Sequence, residues 1–314
     1  MITSLSCSAF PDMPPLITAD LHIHTSHSHG RAGVEAMYAA ARSRGLTLIG
    51  FSEHSPRPAG YAYPSDYQEK LTGGFSRYTD EVRRTAHLGV SEGVEVLLGV
   101  ELDYIPEQEA HARTLRDAFP FDYVIGGLHF QNGWGFDFSA EDWASRSREE
   151  CFSMYAAYYA DLTSMCQSRL FHIAAHPDLI KLFTVEYFHS WLATDEAPVL
   201  IKRSLTAMKD TGMAMEISSA GLRKPCKEIY PCRTIMDMAA RLRLPVSFGS
   251  DAHCVDTPAF AFDLLARYAH EYGYTYSVVP EHGRYRQILF SPGPRASIDT
   301  RGKHHAKHME RNAP

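Results

Sequence analysis

The stretch Asp20-Leu-His-Ile-His24 places one carboxylate and two imidazoles on alternate positions of a short apolar run. Side chains at i and i+2 of a β-strand lie on the same face, so His22 and His24 project together while Leu21 and Ile23 enter the opposite layer. Two imidazoles in this arrangement can bind one metal ion, although an exposed strand can carry the pattern by chance. Asp20 shares their face, where it either orients an imidazole or caps a turn.

Five further apolar runs end in the same kinds of side chain, namely Glu53-His54, Glu101, His129, His176 and the segment Asp251-Ala-His253. In a chain of alternating strands and helices the carboxyl ends of parallel strands all face one way, so residues far apart in sequence converge there. Imidazole and carboxylate together suit divalent metals of intermediate hardness. The sequence therefore predicts a metal cluster at the mouth of a barrel.

Runs predicted as strands alternate with helix-like stretches along most of the chain. The predicted strands cover residues 17–23, 46–52, 94–102, 123–128, 170–175, 213–218, 245–249 and 286–290. Examples of the helix-like stretches are residues 33–44, 75–88, 148–167, 198–211, 231–242 and 258–272. This alternation favours right-handed βαβ units around a parallel sheet, an α/β architecture. We expect one barrel domain over residues 18–290, between an N-terminal extension of residues 1–17 and a loose C-terminal tail of residues 291–314.

Composition narrows the classes of partner. The 314 residues are 45% hydrophobic and carry a formal net charge of −6, which gives no general attraction to nucleic acid. No segment is long enough to span a bilayer, and residues 1–17 lack the features of a signal peptide. The six cysteines form no C-x-x-C pair and are interpreted as reduced thiols. These observations predict a cytoplasmic protein with neither a nucleic acid nor a membrane partner, and they leave homo-oligomer formation open.

The chain resembles the polymerase-and-histidinol-phosphatase (PHP) superfamily of metallophosphoesterases. The motifs that carry the resemblance are Asp20-Leu-His-Ile-His24, Gly50-Phe-Ser-Glu-His54, Gly99-Val-Glu-Leu-Asp103, Ile125-Gly-Gly-Leu-His129, Ala175-His-Pro-Asp178 and Gly249-Ser-Asp-Ala-His253. They occur in order between about residues 18 and 290. The resemblance implies a distorted (β/α)7 TIM-like barrel, with three divalent ions of zinc, iron or manganese at the C-terminal ends of the strands.

Position by position, the resemblance also implies the ligands of these ions. The first ion would be held by His22, His24, Glu101 and Asp251, and Glu101 would bridge to a second ion held by His129 and His176. The third ion would be held by His29, His54 and His253. His29 is preferred over His27 because relatives often have Ser-His-Gly after the H-x-H strand, as this chain has at Ser28-His29-Gly30.

Two stretches resemble the histidinol-phosphate phosphatase branch of the superfamily, one over residues 170–183 and one over residues 215–225. The pairs Ser218-Ser219 and Ala175-His176 depart mildly from that branch and leave the substrate more open than the chemistry. Arg223 resembles the arginine that binds substrate phosphate, since a planar guanidinium matches two phosphate oxygens. Lys181, Arg57 and Lys224 are further candidates for binding the substrate, each weighed against a surface role.

The implied reaction is hydrolysis of L-histidinol phosphate, a small phosphorylated substrate, in histidine biosynthesis. A metal-bridging hydroxide would attack phosphorus in line, with Arg223 and the ions stabilising charge. Asp251 or His253 would assist the departing alkoxide. Another phosphomonoester, or a nucleotide phosphodiester, is the alternative substrate. A catalytically silent metal-binding module is disfavoured because none of the ligand positions is replaced.

Overall fold

The computed structural model describes residues 17–61, 67–281 and 283–290, so most of the predicted N-terminal extension and the whole predicted tail fall outside the described residues. The described strands are β1 (Ala19–Ile23), β2 (Leu48–His54), β3 (Glu95–Asp103), β4 (Tyr123–Gly127), β5 (Phe130–Gln131), β6 (Trp134–Gly135), β7 (Ile173–Ala174), β8 (Ala214–Ser218), β9 (Val246–Gly249), β10 (Tyr276–Glu281) and β11 (Arg284–Leu289). Strands β1, β2, β3, β4, β7, β8 and β9 form one parallel sheet in that order.

The sheet curls until its first and last strands meet. The backbone N–H of His24 donates to the carbonyl of Ala252 at 2.9 Å, and the N–H of Ala252 donates to the carbonyl of His22 at 3.2 Å. These bonds form at a single parallel bridge between Ile23 and Ala252 rather than along a full ladder. The architecture is therefore the predicted distorted barrel of seven parallel strands.

Helices surround this barrel. They are α1 (Val34–Ser43), α2 (Tyr67–Glu92), α3 (Glu109–Ala118), α4 (Glu141–Ala144), α5 (Arg148–Gln167), α6 (Val185–Leu192), α7 (Glu196–Thr211), α8 (Ala220–Arg223), α9 (Arg233–Leu242) and α10 (Phe262–Glu271). Helix α5 begins where its sequence dictates, because Ser147 and Glu150 form a reciprocal capping box. None of the described helices is long and apolar enough to cross a membrane.

The last predicted strand does not join the parallel sheet, which corrects the expectation for residues 286–290. It pairs antiparallel with β10 in a hairpin. Val278 and Val279 of this hairpin pack with the apolar cluster inside the barrel, and the Tyr285 hydroxyl donates to the His172 carbonyl at 2.5 Å. The hairpin therefore covers the end of the barrel where the parallel strands begin, and the opposite end carries the predicted ligands.

Candidate metal centre

Glu101, near the end of β3, lies at the centre of the converging side chains and is 1% exposed. Five imidazole nitrogens surround its carboxylate: His22 Nε2 at 3.3 Å, His24 Nε2 at 3.4 Å and His54 Nδ1 at 3.1 Å from Oε2, and His176 Nε2 at 3.0 Å and His129 Nε2 at 3.6 Å from Oε1. These residues come from the ends of five different strands or from the turns that follow them. The parallel topology thus brings them together as the strand-end pattern predicts.

Asp251 and His253 enter from the turn after β9. Asp251 Oδ1 lies 3.3 Å from His24 Nε2 and 3.8 Å from His22 Nε2. The His253 ring stacks on His24 with 4.2 Å between centroids, and the His29 ring lies 4.2 Å from that of His253. All nine predicted metal ligands are therefore in one cluster.

The loop after β1 separates the two histidines that the sequence left as alternatives. His29 turns towards the cluster, with its ring 5.0 Å from that of His54. His27 turns towards α2, where its Nε2 lies 2.8 Å from a Glu81 carboxylate oxygen. The structure thus places the ring of His29, and not that of His27, beside the other candidate ligands.

The donor atoms fit metal ions. His22 Nε2, His24 Nε2, His54 Nδ1, His253 Nε2 and Glu101 Oε2 are buried and have no hydrogen-bond partner among the described residues. Buried polar atoms are rarely left in this state, because each costs about 1–3 kcal/mol when it has no partner. Five such atoms, all imidazole or carboxylate and all directed at one region, form a donor set that a cluster of divalent ions would satisfy.

The ligand atoms fall into three groups whose members all lie within 4.8 Å of one another. The groups are His24 with His54 and His253, His22 with Glu101 and His176, and His22 with His24 and Asp251. They overlap with the ligand sets that the family resemblance implies but do not coincide with them. His22 and His24 each belong to two groups, and neither His29 nor His129 belongs to one.

A second row of carboxylates lies behind the imidazoles. Glu216 Oε1 is 2.7 Å from His22 Nδ1, Asp103 Oδ1 is 2.5 Å from His129 Nδ1, and Glu53 Oε1 is 3.3 Å from His24 Nδ1. A carboxylate that accepts from Nδ1 leaves the Nε2 lone pair free to bind metal and makes it more basic. The three rings therefore present the nitrogen that faces Glu101.

Glu216 and Asp103 were not predicted from the sequence. Glu216 lies in the apolar strand Ala-Met-Glu-Ile-Ser of β8, and a charge in such a strand needs a partner, which is the pattern that could have revealed it. Asp20 does not orient an imidazole. Its oxygens accept from the backbone N–H groups of Ser250 and Ala259, both at 3.0 Å, so it fastens the loop after β9 to β1.

Burial and mutual repulsion keep several of these imidazoles neutral. Burial, helped by the charge on His24, lowers the pKa values of His54 and His253 well below the ordinary value. Burial likewise lowers the pKa of His29 to about 4. Burial alone would raise the pKa of Glu101, but the imidazoles around it, His22 foremost, hold it well below its ordinary value. For His22, His24 and His129 burial alone would lower the pKa, but the neighbouring carboxylates raise it, to about 9 for His129. A metal ion would displace a proton from these three rings, because neutral imidazole and ionised carboxylate are the forms that bind metal.

Two of the candidate ligands sit on a strained backbone. His176, two residues after the end of β7, has φ of 23°, and Asp251, two residues after the end of β9, has φ of 51°. Residues with side chains avoid this left-handed region unless their surroundings hold them there, and they concentrate at functional sites. The strain turns both side chains back over the end of the barrel.

A cavity of about 460 Å³ opens over the cluster. Beyond the candidate ligands it is lined by Arg57, Asp137, Phe138, Leu182, Phe183, Lys224 and Pro225. The Lys224 ammonium lies 2.9 Å from Asp251 Oδ2, and the Arg57 guanidinium donates to Asp103 at 2.5 Å. The cavity thus combines two cations, a carboxylate and an aromatic wall beside the candidate metal centre.

Arg223 and Lys181, also predicted to bind substrate, do not line this cavity. The Arg223 guanidinium lies over the Phe260 ring and donates to the carbonyls of Ser250 and Asp251. The fully buried Lys181 ammonium makes three contacts, with Asp178 at 2.7 Å, Glu228 at 3.0 Å and the Ile229 carbonyl at 3.2 Å. These contacts account for the three donors of an ammonium group. Their contact with substrate stays a prediction.

Comparison with known proteins agrees with this geometry. A family model described as the PHP domain matches residues 20–220. A probable histidinol-phosphatase of Deinococcus radiodurans is 32% identical over 244 residues, covering 77% of this chain and 89% of that protein. The histidinol-phosphatase of Bacillus subtilis is 26% identical over 268 residues, covering 78% of this chain and 96% of that protein.

A solved structure has the same fold. Histidinol phosphate phosphatase from Lactococcus lactis, crystallised with zinc, L-histidinol and phosphate, superposes with a TM-score of 0.69. It is 17% identical and covers 86% of this chain and 98% of that structure. On the family match and the Deinococcus relative, this chain belongs to the PHP family.

Proposed function

We propose that this chain is a metal-dependent phosphomonoesterase that hydrolyses L-histidinol phosphate to L-histidinol and inorganic phosphate. The observation that carries the proposal is the set of buried, unpaired imidazole and carboxylate atoms around Glu101, at the floor of a cavity with two cations. The curated relatives named histidinol-phosphatases support the choice of substrate.

The nine clustered residues would hold three divalent ions of zinc, iron or manganese, with Glu101 shared between ions. Such ions lower the pKa of water and stabilise negative charge on phosphoryl oxygens. The protein contributes the fixed orientation of the ligands, because Glu216, Asp103 and Glu53 hold the rings of His22, His129 and His24 from behind.

Lys224 and Arg57 are the cations that face the cavity, and we assign them to the substrate phosphate. Burial would lower the pKa of Lys224, but the adjacent Asp251 carboxylate outweighs burial and raises it, so the ammonium stays charged. Arg57 is held by Asp103 and lies over the Phe130 ring at 5.1 Å. We assign Arg223 to positioning, since it binds the carbonyls of Ser250 and Asp251 in the turn that carries the ligands.

The remaining wall suits the organic part of the substrate. L-Histidinol carries an aromatic imidazole and an ammonium group, and the wall offers the rings of Phe138 and Phe183 and the carboxylate of Asp137. Aromatic side chains pack against a flat ring, and a carboxylate attracts an ammonium.

The geometry also favours one assignment for the group that assists the leaving alkoxide. His253 Nδ1 lies 3.0 Å from the Asp251 carbonyl, so Nδ1 carries the hydrogen and Nε2 is a lone pair directed at the cluster. An imidazole in this state suits a ligand better than a proton donor. Burial alone would raise the pKa of Asp251, but Lys224 and His253 hold it well below its ordinary value, so this carboxylate has no proton to give. Asp251 instead holds the Lys224 ammonium through Oδ2, and that ammonium can donate to the developing alkoxide.

The test is release of inorganic phosphate by metal-loaded protein from L-histidinol phosphate, compared with sugar phosphates, nucleotides and a dinucleotide diester. We expect the highest kcat/KM with L-histidinol phosphate and loss of turnover in Glu101→Gln. Efficient cleavage of the diester with no action on L-histidinol phosphate would refute the substrate. A chain that binds no divalent metal after reconstitution would refute the metal centre.

A further inference from the structure

A second cavity, of about 440 Å³, opens at the end of the barrel opposite the metal centre. It lies where β4, β7 and β8 begin, beside the turn of the β10–β11 hairpin. Its apolar wall is formed by Phe121, Val124, Leu170 and Phe171. Nothing in the proposed reaction uses this cavity.

Three arginines from three separate elements line the cavity. Arg116 comes from the last turn of α3, Arg169 from the connection between α5 and β7, and Arg284 from the start of β11. Across the residues that the structure describes, no aspartate or glutamate lines this cavity. Arg116 pairs with its neighbour Asp117 at 2.7 Å, whereas among the described residues no ion pair is found for Arg169 or Arg284. The local balance is therefore three positive charges against one negative charge.

His172 adds a neutral hydrogen-bond donor to this wall. Its Nδ1 accepts the backbone N–H of Val124 at 3.0 Å, so the hydrogen of the neutral ring resides on Nε2. Burial, and then the charge of Arg116, lowers the pKa of His172, which keeps the ring uncharged. A donor of this kind can bind an oxygen atom without adding charge.

The backbone at Arg169 is also unusual. This residue follows the end of α5 with φ of 57°, a conformation in which glycine is the common residue because it has no Cβ. The chain therefore places a long cationic side chain at a position where the backbone conformation favours glycine, which has no side chain. Arg243 has the same conformation, with φ of 55°, after α9, but does not line this cavity, so it provides a matched control.

We propose that this cavity is a binding site for a phosphate dianion attached to a small organic group. A phosphate monoester carries a charge of about −1.5 to −2 at neutral pH, which matches the net local charge of the three arginines and Asp117. Guanidinium groups bind phosphate oxygens in pairs, so arginines from three directions can hold one phosphate group. The wall of Phe121 and Phe171 then packs against the organic group.

The experiment is isothermal titration calorimetry of the full, metal-loaded chain with phenylphosphonate, at mildly alkaline pH where the probe is a dianion. Phenylphosphonate has an aromatic ring and no P–O–C bond to cleave. We expect two sites in the wild type, one at the metal centre and one at the arginines. Arg169→Met with Arg284→Met should leave one site, and the control pair Arg203→Met with Arg243→Met, which removes the same charge elsewhere, should leave two.

Single variants distinguish loss of the arginine site from misfolding of the double variant. Arg284 is exposed at the tip of a hairpin, so Arg284→Met alone should fold and weaken the second site at least about tenfold. Glu101→Gln, which impairs the metal centre, should retain the arginine site. One site in the wild type, or two sites of unchanged affinity in the Arg169 and Arg284 variants, would overturn the proposal.

Discussion

Glu216→Gln gives the sharpest test of how the metal centre is held. In the wild type, one carboxylate oxygen of Glu216 lies 2.7 Å from His22 Nδ1 and the other accepts the backbone N–H of His176 at 2.8 Å. Glutamine has the same shape but only one acceptor oxygen, and the fixed N–H of His176 will take it. The amide NH2 must then face His22 Nδ1.

An NH2 group at this position reverses the tautomer of His22. Nδ1 would have to accept, so the hydrogen of the neutral ring would move to Nε2, the atom that faces Glu101. A protonated Nε2 cannot bind metal. Carboxylates behind metal-bound histidines contribute about 10- to 100-fold in affinity. That factor corresponds to about 1.4–2.8 kcal/mol, the range expected for a hydrogen bond to a charged group.

The assay is competition for zinc or manganese with a chelator of known affinity, read beside circular dichroism of the metal-free protein. Glu216→Gln should bind metal about 10- to 100-fold more weakly with an unchanged fold. Glu95→Gln, on the exposed start of β3 where Glu95 pairs with Arg286, is the matched control and should bind like the wild type. Equal affinity in Glu216→Gln and the wild type would refute the role assigned to Glu216.

Three further predictions follow from other contacts. Gly249→Ala should weaken metal binding at least about tenfold, because its Cβ would lie 2.0 Å from Glu216 Oε1, and unchanged affinity in the chelator assay would contradict this. Lys224→Met should raise both the KM for the phosphomonoester and the inhibition constant of inorganic phosphate about tenfold, because it removes a charged donor from the cavity. Unaltered constants in steady-state kinetics would exclude contact between Lys224 and the phosphate group. Asp161→Asn should raise the free energy of unfolding at neutral pH by about 1 kcal/mol, after allowance for partial exposure, with a gain that shrinks towards pH 4 in urea titrations. Burial raises the pKa of Asp161 from 3.8 to about 6, so the wild type loses stability as pH rises through that interval; a gain that grew towards low pH would oppose this reasoning.

The seven barrel strands could be predicted because each is a compact apolar run, and all of them except β8 end at or near a candidate ligand. Both features are local. The hairpin at the other end could be predicted only in part. Residues 286–290 are predicted as a strand, but β10 contains Pro280, and only packing under the barrel shows that these two strands pair with each other. Helix α3 escaped prediction for a related reason. Its sequence Glu-Ala-His-Ala-Arg-Thr-Leu-Arg-Asp-Ala is mostly polar and buries only Ala112 fully.

The candidate site, too, could be predicted only in part from the sequence. The candidate ligands could be found because they lie at strand ends, where topology alone brings them together. The carboxylates behind them could not, because a contact such as that of Glu216 with His22 joins residues 194 positions apart and depends on how two strands pack. Lys224 was ranked below Arg223 from the sequence, and only the path of the chain after α8 shows which of these neighbours lines the cavity.

The contact between β1 and β9 that closes the barrel affects when the candidate metal centre can assemble during synthesis. His22 and His24 leave the ribosome early, whereas Asp251 and His253 emerge only when the last strand of the barrel is synthesised. The bond between Asp20 and Ser250 likewise joins residues that are 230 positions apart in the sequence. Closing so long a loop carries an entropic cost that later contacts must offset. Until then the nascent chain holds only part of its candidate ligand set, so capture of a full complement of metal would mark completion of the barrel rather than guide its early folding.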